Sequence, residues 1–402
     1  MGRLPDTREP VALDLDNPKV IGVFGFMGSG KSYLLGDIIE TAVVPIDRLN
    51  ALASPLAVVV FNYRRAASDR FELASLAQPN CNNAEVERLL QEYSTVPRGL
   101  PDVRVFCLPG QLAARRAGEY AGIVSEELFF RPDLLEVEDW ELLMGQPGSE
   151  AVFAQVIRHS LRELRAAGPI SIDALQRTVV GRLTGSSRNA AQLRFELVRQ
   201  FVSQTRGIDF SQVVAPGRVT IVDLRDPLFN KEDALRFFLV CANSISRIQG
   251  LNKMVIFDEA HEYMSDLFAD LLNSRIRLIR HEGVTYVFAT QDVGSIPLEV
   301  RRFLTTRFVF DLGTAENVTD LTRVYPEFEG IQLRSFPAGQ CLLQDKDSVT
   351  DIFQQPRMIR VRPRVSQHGG ASRIFSTSTP VPSTGRVADG PPRDTQNSDP
   401  SG

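Results

Sequence analysis

The stretch Gly25-Phe26-Met27-Gly28-Ser29-Gly30-Lys31-Ser32 fits the spacing G-x-x-x-x-G-K-[ST], the pattern of a backbone loop that cradles phosphate groups. Glycines let such a loop curl so that its N–H groups converge on a β-phosphate. The helix that follows adds its positive N-terminal end. Lys31 is placed to reach the β- and γ-phosphates and the Ser32 hydroxyl to hold Mg²⁺. The expected nucleotide-binding set is Gly25, Gly28, Ser29, Gly30, Lys31, Ser32 and Tyr33. Farther on, Val255-Ile256-Phe257-Asp258-Glu259 ends an apolar run in two adjacent acids. Beside a phosphate loop the first acid belongs on Mg²⁺, through water, and the second can polarise an attacking water. Ser32 and Asp258 are thus the expected metal residues, Lys31 and Glu259 the expected catalytic ones, and ATP and Mg²⁺ the bound species. Two adjacent acids at a strand end could otherwise merely start a helix.

Three further positions could join this chemistry. Gln291 closes the apolar run Val287-Phe288-Ala289-Thr290, where its amide could touch the γ-phosphate or the attacking water. Arg277 and Arg280 stand three apart, hence on one face of a helix. They are either a solvated basic face or an arginine finger offered to a neighbouring subunit's nucleotide, and spacing alone leaves the two equal. His261 reads as a first-turn helix residue rather than a functional one.

Positioning these groups requires strands that alternate with helices. Lys19–Phe24 reads as a buried strand and Tyr33–Ile39 as the helix after the loop. Leu56–Phe61, Val103–Cys107, Val219–Leu224, Lys253–Phe257, Val284–Ala289 and Arg307–Leu312 are further strand candidates. Between about Gln111 and Phe210 the apolar spacing turns helical. The expected fold is α/β, a RecA-like core with a mostly parallel sheet and a helical insertion between its two halves. The expected organisation is a flexible N-terminus (1–14), a first core part (15–110), the helical insertion (111–212), a second core part (213–365) and a disordered tail (366–402). That tail is rich in Ser, Thr, Pro and Gly, with little apolar material to offset the entropy of ordering. Just before it come Arg357, Arg360, Arg362 and Arg364. Alternation with Ile359, Val361 and Val365 suggests a closing strand with solvated arginines; a basic patch gripping DNA phosphates is the alternative.

Composition narrows the class. Over 402 residues, 43% hydrophobic and 23% charged content are ordinary for a globular protein. A net charge of −4 argues against a surface coated for nucleic acid, though not against a few gripping residues in a channel. The start is polar, so no signal peptide is expected, and no apolar run is long enough for a membrane span. Cys81, Cys107, Cys241 and Cys341 lack metal-like spacing and read as buried thiols of a reducing, cytoplasmic compartment.

Taken together these residues resemble the HerA–FtsK family of ring-forming DNA-pumping ATPases, on the HerA side. The resemblance is carried by the phosphate loop, by Asp258-Glu259-Ala260-His261, by the Arg277/Arg280 segment and by Ala289-Thr290-Gln291-Asp292. Val214–Leu224, Thr305–Phe310 and Pro337–Leu343 add to it, so that it runs discontinuously over residues 15–365. It implies a homohexameric ring that hydrolyses ATP at subunit interfaces and moves double-stranded DNA. Lys31 and Ser32 would take the Walker A roles, Asp258 and Glu259 the Walker B roles and Gln291 the sensor role, with Arg280 or Arg277 acting in trans. Two departures stand out. The family usually carries a small β-barrel before the phosphate loop, whereas 24 residues precede Gly25 here. The second strand ends in Asn62-Tyr63-Arg64-Arg65 rather than an acidic turn. The first bears on pairing with the family's nuclease partner, rather than another effector protein, and leaves room for a mobile-element, packaging or conjugation ATPase. A nucleotide-gated assembly ATPase that docks a protein partner, without processive DNA movement, is the competing expectation.

Overall fold

The computed structural model describes residues 1–63, 71–145, 150–226, 230–262, 264, 272 and 275–369. Its strands, in chain order, are β1 (Gly2–Arg3), β2 (Pro10–Val11), β3 (Val20–Phe24), β4 (Ala57–Asn62), β5 (Val103–Cys107) and β6 (Val124–Glu127). They continue with β7 (Val219–Asp223), β8 (Lys253–Phe257), β9 (Val284–Thr290), β10 (Thr306–Val309), β11 (Gln340–Asp345) and β12 (Arg357–Val361). All twelve join one sheet in the order β2-β1-β12-β11-β10-β3-β9-β8-β4-β7-β5-β6. From β10 to β6 every neighbouring pair is parallel. The wing from β10 through β11, β12 and β1 to β2 is antiparallel.

The central strands are apolar on both faces because both faces are covered. Along β3, Val20 and Phe24 belong to one core while Ile21 and Val23 belong to the other. Helix α1 (Lys31–Val43) seals the second face with Leu34, Leu35, Ile38 and Ile39, all fully buried. The other face is covered by residues of the 130–213 region and by the apolar helix Lys231–Ser246. There Trp140, Phe195 and Phe237 share one core with Phe61, Phe257 and Phe288.

Four expectations about organisation change. Residues 1–14 are not free, because β1 pairs with β12 and β2 with β1. The helical insertion is interrupted: a helix does begin at Leu112, but after Ala117 the strand β6 pairs in parallel with β5, so the sheet continues and the unbroken succession of helices starts at Val137. The arginines near the end do not form one solvated row or one basic patch, because two of the four are buried. Strand β12 stops at Val361 and Pro363 follows, so the alternation does not carry on; Arg362 and Arg364 turn inward and are 2% and 0% exposed. Arg360, half exposed, lies 3.7 Å from Glu92, and Arg357 is exposed. Residues 366–369 are also held: Ser366 is fully buried on Glu40 and the Gln367 N–H donates to Gln78. The rest of the expected tail, 370–402, lies outside the described residues, as do Arg64 and Arg65. Cys107, Cys241 and Cys341 are buried as expected, but Cys81 is exposed.

Candidate functional site

Parallel strands bring their C-terminal ends to one edge of the sheet, and the register fixes what meets there. Phe24 pairs with Thr290, and Phe257 with Phe288. Strand β9 lies between β3 and β8, so Gln291 emerges between the phosphate loop after Phe24 and the acids after Phe257. The sequence-predicted groups at Gly25–Ser32, Asp258, Glu259 and Gln291 thus converge at one edge.

The loop is shaped by glycine at two positions above all. Gly30 takes φ 115°, a region side chains avoid, immediately before α1 begins. A Cβ on Gly25 would sit 2.5 Å from Ser29 Oγ and 2.7 Å from Phe310 Cβ. The loop is tied down from behind: Phe26 N–H donates to the Asp311 carbonyl (2.6 Å) and Ser29 N–H to the Phe26 carbonyl (3.1 Å). Asp311 itself is fixed by the N–H groups of Gly313 (2.8 Å) and Ser335 (2.7 Å). Lys31, 5% exposed, donates its Nζ to the Phe26 carbonyl at 3.2 Å. Ser29 Oγ is buried and has no hydrogen-bond partner. A hydroxyl and an ammonium turned toward the same loop fit the oxygens of a phosphate chain. The Tyr33 side chain points elsewhere, with its hydroxyl on Glu85 and Arg364. Only its place in the first turn of α1 remains available to the phosphates.

Asp258 is buried at the end of β8, and its Oδ1 accepts the Glu259 N–H (3.1 Å). Glu259 adopts φ 53°, unusual for a residue with a side chain. Such left-handed residues cost of order 1 kcal/mol or more and concentrate at sites where direction matters. Here the turn sends the carboxylate toward β9. Gln291 Nε2 donates to Glu259 Oε1 at 2.9 Å, and His261 Nδ1 lies 3.4 Å from Glu259 Oε2 and 3.4 Å from Thr290 Oγ1. His261 is therefore a neighbour of the acid, in a 3₁₀ turn, rather than the uninvolved helix residue expected. Asn317 is a positioning residue that sequence reasoning missed. Its Nδ2 donates to the Gln291 carbonyl (2.9 Å), and its Oδ1 accepts the Val293 N–H (2.9 Å). Only its place two residues into the helix capped by Thr314 marks it, and that is no functional signal.

The arginine pair departs from expectation. Residues 275–276 and Ile279–Glu282 are helical but Arg277 and Leu278 form a turn, so Arg277 and Arg280 do not share one unbroken helix face. Arg277 is exposed; the side chain of Arg280 lies outside the described residues. Arg275, which the sequence did not single out, binds Glu282 (3.0 Å) and Asn243 (3.1 Å).

The sequence matches no protein-family model and no curated protein. The structure is similar to solved ones along most of its length. VirB4 of Thermoanaerobacter pseudethanolicus superposes with a TM-score of 0.54 at 11% identity, covering 90% of this chain and 95% of that one. The bacterial conjugative coupling protein TrwBΔN70, in its unbound monoclinic form, gives 0.52 at 10% identity, over 88% of this chain and 87% of that one. Plasmid coupling protein TrwB in complex with the non-hydrolysable GTP analogue GDPNP gives 0.51 at 11% identity, covering 90% and 92%. The chain thus has a RecA-like P-loop α/β fold. More narrowly, that fold is the arrangement seen in VirB4 and TrwB. No helix among the described residues is long and apolar enough to cross a membrane.

Proposed function

We propose that this chain is a nucleoside-triphosphate-hydrolysing motor of the HerA–FtsK kind, which uses ATP to move double-stranded DNA. The observation that carries the proposal is the Glu259–Gln291 hydrogen bond at the sheet edge beside the phosphate loop. An acid held by an amide from the intervening strand is the equipment of turnover, not of static nucleotide binding. Gly25, Gly28, Ser29, Gly30, Lys31 and Ser32 would bind the phosphates, and Glu259 would orient and deprotonate the attacking water. Gln291 holds this acid and would sense the γ-phosphate. Ser32 and Asp258 would hold Mg²⁺, which when bound neutralises charge on the β- and γ-phosphates. Two oxygen ligands suit an ion that keeps several waters and takes phosphate oxygens for the rest. Among the described residues no group of three His, Cys, Asp or Glu side chains offers a competing metal site.

The family resemblance of the motifs supports double-stranded DNA as the cargo and a homohexameric ring with Arg277 or Arg280 acting in trans, and the likeness to TrwB supports the fold such a motor needs. A nuclease or other effector protein would be a further partner, and the cytoplasm the compartment. The test is ATPase rate with and without linear duplex DNA, with particle mass measured in ATP. Glu259→Gln should keep ATP binding and lower turnover by about two or more orders of magnitude, the scale of losing a positioned base. Hydrolysis by Glu259→Gln at the parent rate overturns the catalytic assignment. ATPase activity that ignores duplex DNA favours the assembly ATPase instead.

A further inference from the structure

The first turn of α1 carries a second arrangement, built on residues other than the catalytic acid and its partners. Tyr33 directly follows Ser32, and its hydroxyl donates to Glu85 Oε2 (2.9 Å) while accepting the Arg364 N–H (2.8 Å). Glu85 Oε2 also accepts Asn80 Nδ2 (2.7 Å), so the phenol ring is clamped from two segments. Arg364 is fully buried and lies over α1 opposite Gly36, where an added Cβ would come within 2.3 Å of its guanidinium carbon. Its Nη2 donates to Ser366 Oγ (2.8 Å), and its Nη1 lies 3.4 Å from His368 Nδ1. An arginine can only donate, so Nδ1 is the acceptor and the imidazole proton sits on Nε2. The His368 ring meets the Tyr33 ring edge to face, with centroids 5.2 Å apart at 62°. Burial, and then the charge of Arg364, holds the imidazole below its usual range, so at neutral pH the ring is uncharged. Tyr33 and His368 are both partly exposed, and Gly369 is exposed.

This places a rigid aromatic pair, with an N–H free to donate, one residue beyond the expected Mg²⁺ serine. A triphosphate cradled by residues 25–30 brings its α-phosphate to the first turn of the following helix, and its sugar and base leave past that turn. We infer that Tyr33 and His368 form the base-side wall of the nucleotide site. His368 stacks on the base, and a purine with its larger face fills that stack better than a pyrimidine. The inference rests on the nucleotide-binding reading of the phosphate loop and adds base selectivity to it. It also gives the segment after β12 a role that the sheet alone does not require: the chain closes its own nucleotide pocket with residues 364–368.

The experiment compares dissociation constants for ATP, CTP and inorganic tripolyphosphate in the full-length parent, His368→Ala and His368→Phe, with a melting curve for each. The parent should bind ATP more tightly than CTP, and both more tightly than tripolyphosphate. His368→Ala should weaken ATP by about tenfold or more, the scale of one lost base–aromatic stack, and leave tripolyphosphate unchanged. His368→Phe, which keeps a stacking ring and keeps the variant foldable, should hold ATP within a few-fold and retain the preference over CTP. Equal weakening of ATP and tripolyphosphate in His368→Ala, or no weakening of ATP, overturns the inference. A parent that binds tripolyphosphate as tightly as ATP overturns the base wall while leaving the phosphate loop intact. A parent that binds neither overturns both readings.

Discussion

Asp37→Asn should stabilise this protein at alkaline pH and leave it nearly unchanged in acid. Asp37 and Glu40, both fully buried, stand one turn apart on the helix behind the phosphate loop and face the same guanidinium, that of Arg362. The donors are shared unequally. Glu40 accepts Arg362 Nη1 (2.8 Å), the N–H groups of Val365 (3.2 Å) and Ser366 (2.9 Å), and the Ser366 hydroxyl (2.6 Å). Asp37 has one ion contact with Arg362 (3.0 Å), and neither of its oxygens accepts a well-aligned hydrogen bond. Burial dominates and pushes its carboxyl from 3.8 up to about 8, whereas the charges and donors around Glu40 hold that acid below its usual value. A folded-state pKa raised above the unfolded one means that the native chain binds the extra proton. That contribution is full below about pH 4 and is lost as pH rises through about 8. The ceiling is about 1.4 kcal/mol per pH unit, on the order of 5 kcal/mol across the window. Asparagine mimics the protonated acid and does not titrate. Urea unfolding at pH 5, 6, 7 and 8 should therefore give a gain for Asp37→Asn over the parent that grows with pH to several kcal/mol. Groups that do not feel Asp37 cancel in that difference; the buried Met1 ammonium, lowered to about 5 by burial and the Arg362 charge and raised in part by Asp37, titrates near the acid end and does not cancel there. Parallel profiles, or a variant less stable than the parent at pH 8, would refute the assignment of the proton to Asp37.

Gly36→Ala tests how tightly Arg364 is seated on the same helix. Overpacking of about 1–3 kcal/mol should exceed the 0.5–1 kcal/mol or so that alanine gains in a helix, so the melting temperature should fall; a rise would show that the guanidinium can move aside. Asn317→Ala removes the bonds to the Gln291 carbonyl and Val293 N–H without touching the acid. It should lower kcat about tenfold with little change in KM for ATP, the signature of an interaction felt in the transition state; a rise in KM alone would place Asn317 outside the catalytic apparatus.

What the sequence made legible follows from how local each signal is. The phosphate loop, the acids after β8 and Gln291 after β9 each combine a short apolar strand with a polar residue at its end, and parallel pairing then gathers those ends without further information. Two-residue strands such as β1 and β2 carry no periodicity, and only their partners define them. Strand β6 was hidden likewise, because Val124-Ser125-Glu126-Glu127 is polar enough for a sheet edge and reads as helix or loop.

The arginines near the end show a deeper limit. Alternation placed Arg362 and Arg364 in solvent, and it would have been right had β12 continued. Their burial depends on Asp37 and Glu40, more than 320 positions away in the sequence. On a helix those two acids look like one polar face, yet neither reaches water. A buried charge is tolerated only with its partner in place, because each ion left alone costs several kcal/mol. Such a cluster is thus a property of the closed fold and has no local signature. Its position on α1 ties the segment after β12 to the helix that begins at the phosphate loop. Residues 362–366 therefore belong with α1 as one packed unit.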